Sequence, residues 1–98
     1  MSYTALLLLK AKKELSDAFL WYEDKQKGLG ERFANEIFTK LAEIENYPDR
    51  HPIKIKNLRE ARIAVFPYLL IYRINNSTKQ VIVVSIFHVK RNPLRKTR

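Results

Sequence analysis

The residues best equipped for chemistry lie late in the chain. Arg62 and Arg73 fall in β-compatible stretches and His88 closes the last of them. Lys90, Arg91, Arg95, Lys96 and Arg98 then follow without an intervening acid. A guanidinium can grip a phosphate or a carboxylate in bidentate fashion, and a sheet places it more rigidly than a loop does. An imidazole beside arginines has a lowered pKa, which suits a general base near neutral pH. Arg62, His88 and Arg91 are thus the kind of set that a metal-free ribonuclease needs. The structural alternative for His88 is a strand-end histidine bonded to backbone.

Other chemistries find little support. The chain has no cysteine, so a disulfide scaffold, a thiolate metal site and a Cys nucleophile are excluded. His51 and His88 are the only histidines, and the carboxylates fall at helix-surface spacing, so no metal site and no cofactor are expected. Gly28-Leu29-Gly30 lacks the glycine spacing and the Lys-Ser/Thr ending of a phosphate loop, and it joins two helices. None of Ser2, Ser16, Ser77 and Ser85 stands in a nucleophile-elbow context. Trp21-Tyr22-Glu23 reads as a core tyrosine beside a tryptophan packed at the helix edge or on a partner.

The composition frames these residues. Ninety-eight residues suit one compact domain spanning 1–98, and 46% hydrophobic content supplies one core. Five Phe, five Tyr and one Trp argue against disorder. No apolar run approaches the ~20 residues of a membrane helix. Ala5 to Leu9 has neither the basic start nor the cleavage site of a signal peptide. A soluble, cytoplasmic protein without membrane contact is therefore expected. The net charge of +9 is unevenly spread. Residues 1–49 hold seven Lys/Arg against nine Asp/Glu, whereas residues 50–98 hold twelve against one, Glu60. Such an excess opposes compaction, and an anionic partner explains it better than solubility alone.

The elements that must position these groups can be read from periodicity. Ser2 to Leu9 reads as a strand. Ala11, Leu15, Ala18, Phe19 and Tyr22 form one helical face over residues 11–27, which Gly28 ends. Phe33, Ala34, Ile37, Phe38, Leu41 and Ile44 form the stripe of a second helix reaching Tyr47. The short Leu29-Gly30 connection makes the two an antiparallel hairpin. Pro48 and Pro52 bracket a loop, and Ile53 to Lys56 is loop or ragged strand. Strands are expected over residues 62–66, 68–74 and 80–88, with Asn75-Asn76-Ser77 as a turn. Val81 to Val84 is apolar at both parities, so that strand is expected to be covered on both faces. The expected fold is α+β, in the order β-α-α-β-β-β, with the helical hairpin packed on one face of an antiparallel sheet.

Several segments in this order resemble the RelE/ParE superfamily of type II toxins, often labelled plasmid stabilisation proteins. They are Ala18-Phe19-Leu20-Trp21-Tyr22-Glu23, Gly28-Leu29-Gly30-Glu31-Arg32-Phe33, Leu41-Ala42-Glu43-Ile44 leading into Pro48, Phe66-Pro67-Tyr68-Leu69-Leu70-Ile71-Tyr72-Arg73-Ile74 and Ile86-Phe87-His88-Val89-Lys90-Arg91-Asn92-Pro93. The resemblance covers residues 3–93. RelE-like members cut mRNA on the ribosome, whereas ParE-like members poison DNA gyrase. Matched motif to motif, Arg62 falls where RelE-like toxins carry a sheet lysine, and Arg91 on their basic residue past the last strand. Their key arginine is Leu69 here, and their late tyrosine falls near Thr97 or is absent. A leucine cannot stabilise the charge that develops at phosphorus.

The resemblance therefore implies a growth-inhibiting toxin closer to the ParE branch, acting on gyrase, with a ribosome-dependent mRNA interferase using Arg62, His88 and Arg91 as the alternative. A retained fold without toxicity is the bland reading. A toxin implies a cognate antitoxin with an acidic tail, in a hetero-oligomer or beside a toxin homodimer. The surfaces expected to meet target or antitoxin are Arg62, Arg73, His88, Lys90, Arg91, Arg95 and Trp21.

Overall fold

The computed structural model describes residues 3–90. Strand β1 (Thr4–Leu7) leads into helices α1 (Leu9–Lys25) and α2 (Leu29–Asn46). A 3-10 turn at Pro48–Arg50 precedes β2 (Ile53–Ile55), β3 (Leu58–Arg62), β4 (Tyr68–Asn75) and β5 (Gln80–His88). The five strands form one sheet in the order β1-β5-β4-β3-β2. This is the α+β fold expected from the periodicity, with three differences. β1 pairs with β5 in parallel, so the sheet is mixed rather than wholly antiparallel. A two-residue alternation fixes no direction, and two helices separate β1 from the other strands, so no tight turn imposes an antiparallel pairing. The ragged Ile53-Lys54-Ile55 is a genuine edge strand with every residue exposed.

The strand expected at 62–66 lies earlier, at Leu58–Arg62. Residues 63–67 instead form an irregular corner in which Val65 takes φ 73° and the Phe66 and Tyr68 amides donate to carbonyls two residues back. Pro67 has no N–H for the ladder, so pairing must stop near it. The turn after β4 is as expected: the Asn75 side-chain oxygen accepts from the Ser77 and Thr78 amides at 3.0 and 3.2 Å.

The helices cover one face of the sheet. Phe33, Ile37, Leu41 and Ile44 of α2 and Ala11 and Ala18 of α1 pack on Leu70, Tyr72, Val81, Val83 and Ile86. Tyr22, Phe33, Phe66 and Tyr68 make an aromatic group with ring centroids 4.9–6.3 Å apart. The joint between the helices explains the Glu23 and Gly28-Leu29-Gly30 segments. Gly28 takes φ 89° as the residue preceding α2. A Cβ on Gly30 would lie 2.5 Å from the Phe19 carbonyl oxygen, so only glycine lets α2 start this close to α1. The Glu23 carboxylate accepts from the Gly28 and Gly30 amides at 2.8 and 2.9 Å. These amides, Gly28 first, hold its pKa below the ordinary carboxylate value.

Candidate functional site

Strand register decides which candidate residues share a surface. Arg62 pairs with Leu69, which pairs with Phe87, and Arg73 pairs with Ile82. All of these alternate with core residues such as Leu70 and Val81, so they occupy the sheet face away from the helices. Arg62 is exposed and Arg73 half-buried. The two are four residues apart along the strand direction, about 13 Å, and on neighbouring strands. Glu60, paired with Ile71, lies on the same face between them. Ile71, Ile82 and Phe87, at most 6% exposed, make this face more apolar than a cation platform.

His88 is elsewhere. It pairs with Tyr68, and the two rings meet edge-on at 4.9 Å on the helix side of the sheet. Its Nδ1 accepts from the Lys90 amide at 3.1 Å, which leaves the ring proton on Nε2 in the neutral form. The pleat places Arg62 and His88 on opposite faces of the sheet. Arg91 and Arg95, the remaining cations of that set, lie outside the described residues.

The basic second half is also less free than its composition implies. Arg59 turns towards the helices and donates to the Asp49 and His51 carbonyls at 3.3 and 2.6 Å, with the Asp49 carboxylate 3.5 Å away. Arg50 and Lys40 both bond Glu43, at 2.9 and 2.7 Å. Lys40 first and Arg50 next drive the Glu43 carboxyl down to about 2 against the cost of burial. Tyr72 locks the same region from below, its hydroxyl donating to the Pro48 carbonyl at 2.7 Å, and burial pushes that hydroxyl up to about 12.

Three candidates do converge, in a hollow of ≈ 380 Å³ between α1 and the ends of β4 and β5. Trp21 and Tyr22 line it from α1, beside the small Ala18. Tyr68 and His88 line it from the sheet, with Lys90 following. Asp17 completes the α1 side and is itself bonded to Lys13 at 2.9 Å. Trp21 is 58% exposed, meets Tyr22 edge-on at 5.2 Å and carries the Lys25 ammonium over its ring at 4.8 Å. Trp21 thus lies at the helix edge, and Tyr22 beside it is partly buried against the core.

Sequence reasoning passed over one polar cluster. Ser85 is 1% exposed, and its hydroxyl donates to Glu14 at 2.9 Å and accepts from Lys10 at 3.4 Å. The same Glu14 oxygen accepts the Ile86 amide at 2.9 Å. Glu14 thereby closes the edge of β5 where β1 no longer pairs, and a hydroxyl buried this way is a structural group and no nucleophile. The signal was a lone serine in an otherwise apolar strand. Among the described residues no group of His, Asp and Glu is arranged to hold a metal ion, and no helix is long and apolar enough to cross a membrane.

This geometry has relatives. The model of the ParE toxin of type II toxin–antitoxin systems matches residues 6–93. The chain belongs to the ParE toxin family. The fold of this ParE-family toxin is shared with solved structures of low sequence identity. A chain from the chromosomal ParDE system of P. aeruginosa superposes with a TM-score of 0.78 at 13% identity, over 91% of this chain and 98% of that one. The isolated E. coli RelE toxin gives 0.66 at 16% identity, over 98% and 94%. A chain of the RelBE2 toxin–antitoxin complex of Mycobacterium tuberculosis gives 0.64 at 20% identity, over 90% and 92%. No curated protein matches the sequence significantly.

Proposed function

We propose that this ParE-family toxin stops growth in the cytoplasm by binding DNA gyrase and halting replication, and that an antitoxin with an acidic tail neutralises it. Membership of the ParE family supports the gyrase target. The observation that carries the choice against RNA cleavage is the separation of Arg62 from His88 by the thickness of the sheet. A general base must reach the proton it removes while cations face the same phosphate. Here the neighbours of Arg62 across the strands are Leu69 and Phe87. The antitoxin is supported by the net charge of +9 and by the ParDE and RelBE2 systems whose toxins share this fold.

The test is a supercoiling assay with purified toxin and gyrase. Inhibition of supercoiling, or gyrase-dependent DNA breaks, is expected at micromolar toxin, with translated mRNA left intact in primer extension. Codon-positioned cleavage of mRNA together with unaffected gyrase would overturn the reading.

A further inference from the structure

The end of α2 and the start of β1 enclose a hollow of ≈ 560 Å³, lined by Tyr3, Asn46, Tyr47, Pro48, Asp49 and Arg50. It shares no lining residue with the hollow of Trp21. Hydrogen bonds fix its walls. The Tyr3 amide donates to the Glu45 carbonyl at 3.0 Å, and the Ala5 amide to the Glu45 carboxylate at 2.7 Å. The Tyr72 hydroxyl holds the Pro48 carbonyl from below at 2.7 Å.

The lining is aromatic and cationic at once. The Arg50 guanidinium lies 4.3 Å from the centroid of the Tyr47 ring, and the Lys79 ammonium 5.3 Å from that of Tyr3. The Tyr3 hydroxyl donates to the Asn76 side-chain oxygen at 2.6 Å, which fixes that ring. Tyr47 is 56% exposed although a guanidinium covers one face of its ring, so the other face is open to a ligand. Glu43 orients Arg50 at 2.9 Å through one terminal nitrogen and leaves other N–H donors of the fork for an anion. Lys79 has no carboxylate partner among the described residues.

This pairing of rings with cations selects the ligand. An ammonium group, the usual guest of aromatic cages, is repelled here because Arg50 and Lys79 already sit over the rings. An aliphatic side chain gains nothing from the two charges. A planar base stacks on Tyr47, and the phosphate it carries meets Arg50 and Lys79, which is the combination that single-stranded nucleic acid sites use. Asn46 and Asp49 add an amide and a carboxylate to the lining, groups that bond the edge of a base. The Asp49 charge is partly offset by Arg59 at 3.5 Å.

We propose that this hollow binds a nucleotide, its base stacked on the open face of Tyr47 and its phosphate held by Arg50 and Lys79. The inference goes beyond the gyrase and antitoxin readings and depends on neither.

The experiment follows isotope-labelled full-length toxin by NMR during titration with AMP, with the oligonucleotide dA8, and with dextran sulfate, a polyanion without bases. Amide shifts at Tyr3, Asn46, Tyr47 and Arg50 are expected with AMP and dA8 and not with dextran sulfate. The ratio of affinities identifies the source: dA8 binding at least tenfold more tightly than AMP assigns a single strand, and a smaller ratio a free nucleotide. Tyr47→Ala should raise Kd at least fivefold and Tyr47→Phe less than twofold, because stacking needs the ring and not the hydroxyl. Lys79→Gln, at an exposed turn position, should raise Kd at least threefold and make it less dependent on salt. This variant keeps the test open should Tyr47→Ala fail to fold by circular dichroism. Unchanged Kd in the folded variants, or the same amide shifts with dextran sulfate, means that charge alone is responsible and overturns the proposal. So does the absence of shifts in this hollow with both AMP and dA8.

Discussion

The two faces of the sheet handle charge in opposite ways. On the helix side, cations are held: Arg59 by two carbonyls and Asp49, Arg50 and Lys40 by Glu43, Lys10 by Glu14 and Ser85. On the other face, strand register places Arg62 and Arg73, and neither has a hydrogen bond or ion pair to another described residue. Charge on the helix side therefore serves folding and positions the hollow around Trp21. Charge on the far side contributes little to folding and remains available to steer a partner. The net charge of the second half, taken alone, does not reveal this division.

Substitution at Gly30 should break the comparison most strongly, because it removes the helix side altogether. Gly30→Ala drives a methyl group into the Phe19 carbonyl, which is backbone and cannot rotate away. A loss of about 3 kcal/mol, or failure to fold, is expected for such overpacking, measured by urea unfolding. Gly28→Ala meets open space and is opposed only by its positive φ, so its cost should be near 1 kcal/mol. Equal costs at the two glycines would contradict the close helix approach.

Glu43 tests the held charges. Its pKa is lowered in the folded state to about 2, from an ordinary value near 4.5, by Lys40 and Arg50. A depressed carboxylate stabilises the fold above its unfolded pKa and loses that contribution as pH falls towards the folded value. Stability should thus be level above about pH 5 and decline between about pH 4.5 and 2. Glu43→Gln should cost about 1–2 kcal/mol at pH 7, as expected for partly buried charge-assisted hydrogen bonds, and should flatten that decline. Urea unfolding at pH 7 and pH 3 measures both. The His51 Nε2 is buried beside this cluster, 3.6 Å from Glu43 and without a hydrogen bond among the described residues.

Much of the helix side was legible in the sequence, because amphipathic periodicity and packing agree there. Phe33, Ile37, Leu41 and Ile44 are buried as their spacing implies, and Gly28 has the positive φ that its place between helices requires. The direction of β1 was not legible, since alternation carries no polarity. β3 was misplaced because Arg59 and Glu60 look like loop residues, whereas the β-compatible run at 62–66 contains the corner forced by Pro67. The candidate site was half legible. Trp21, His88 and Lys90 were singled out, but their meeting depends on register and on the extra residue Val84 in β5, where the β4–β5 pairing shifts between Ile71 and Tyr72. Without register, Arg62 and His88 cannot be assigned to different faces.

The smallest effect on stability belongs to the far face, and it sharpens the comparison most. Arg62→Gln and Arg73→Gln should each change unfolding free energy by less than about 0.5 kcal/mol, as is usual for surface sites without specific partners. If these side chains steer an acidic antitoxin, the double variant should slow association several-fold at low salt and leave dissociation nearly unchanged, because rim charges act on encounter. Its salt dependence should be shallower than that of the unmodified toxin, since fewer cations are left to screen. Stopped-flow association and dissociation at two ionic strengths measure this pattern. If Arg62 and Arg73 govern dissociation instead, the far face is part of the bonded interface, and the division of labour between the two faces fails.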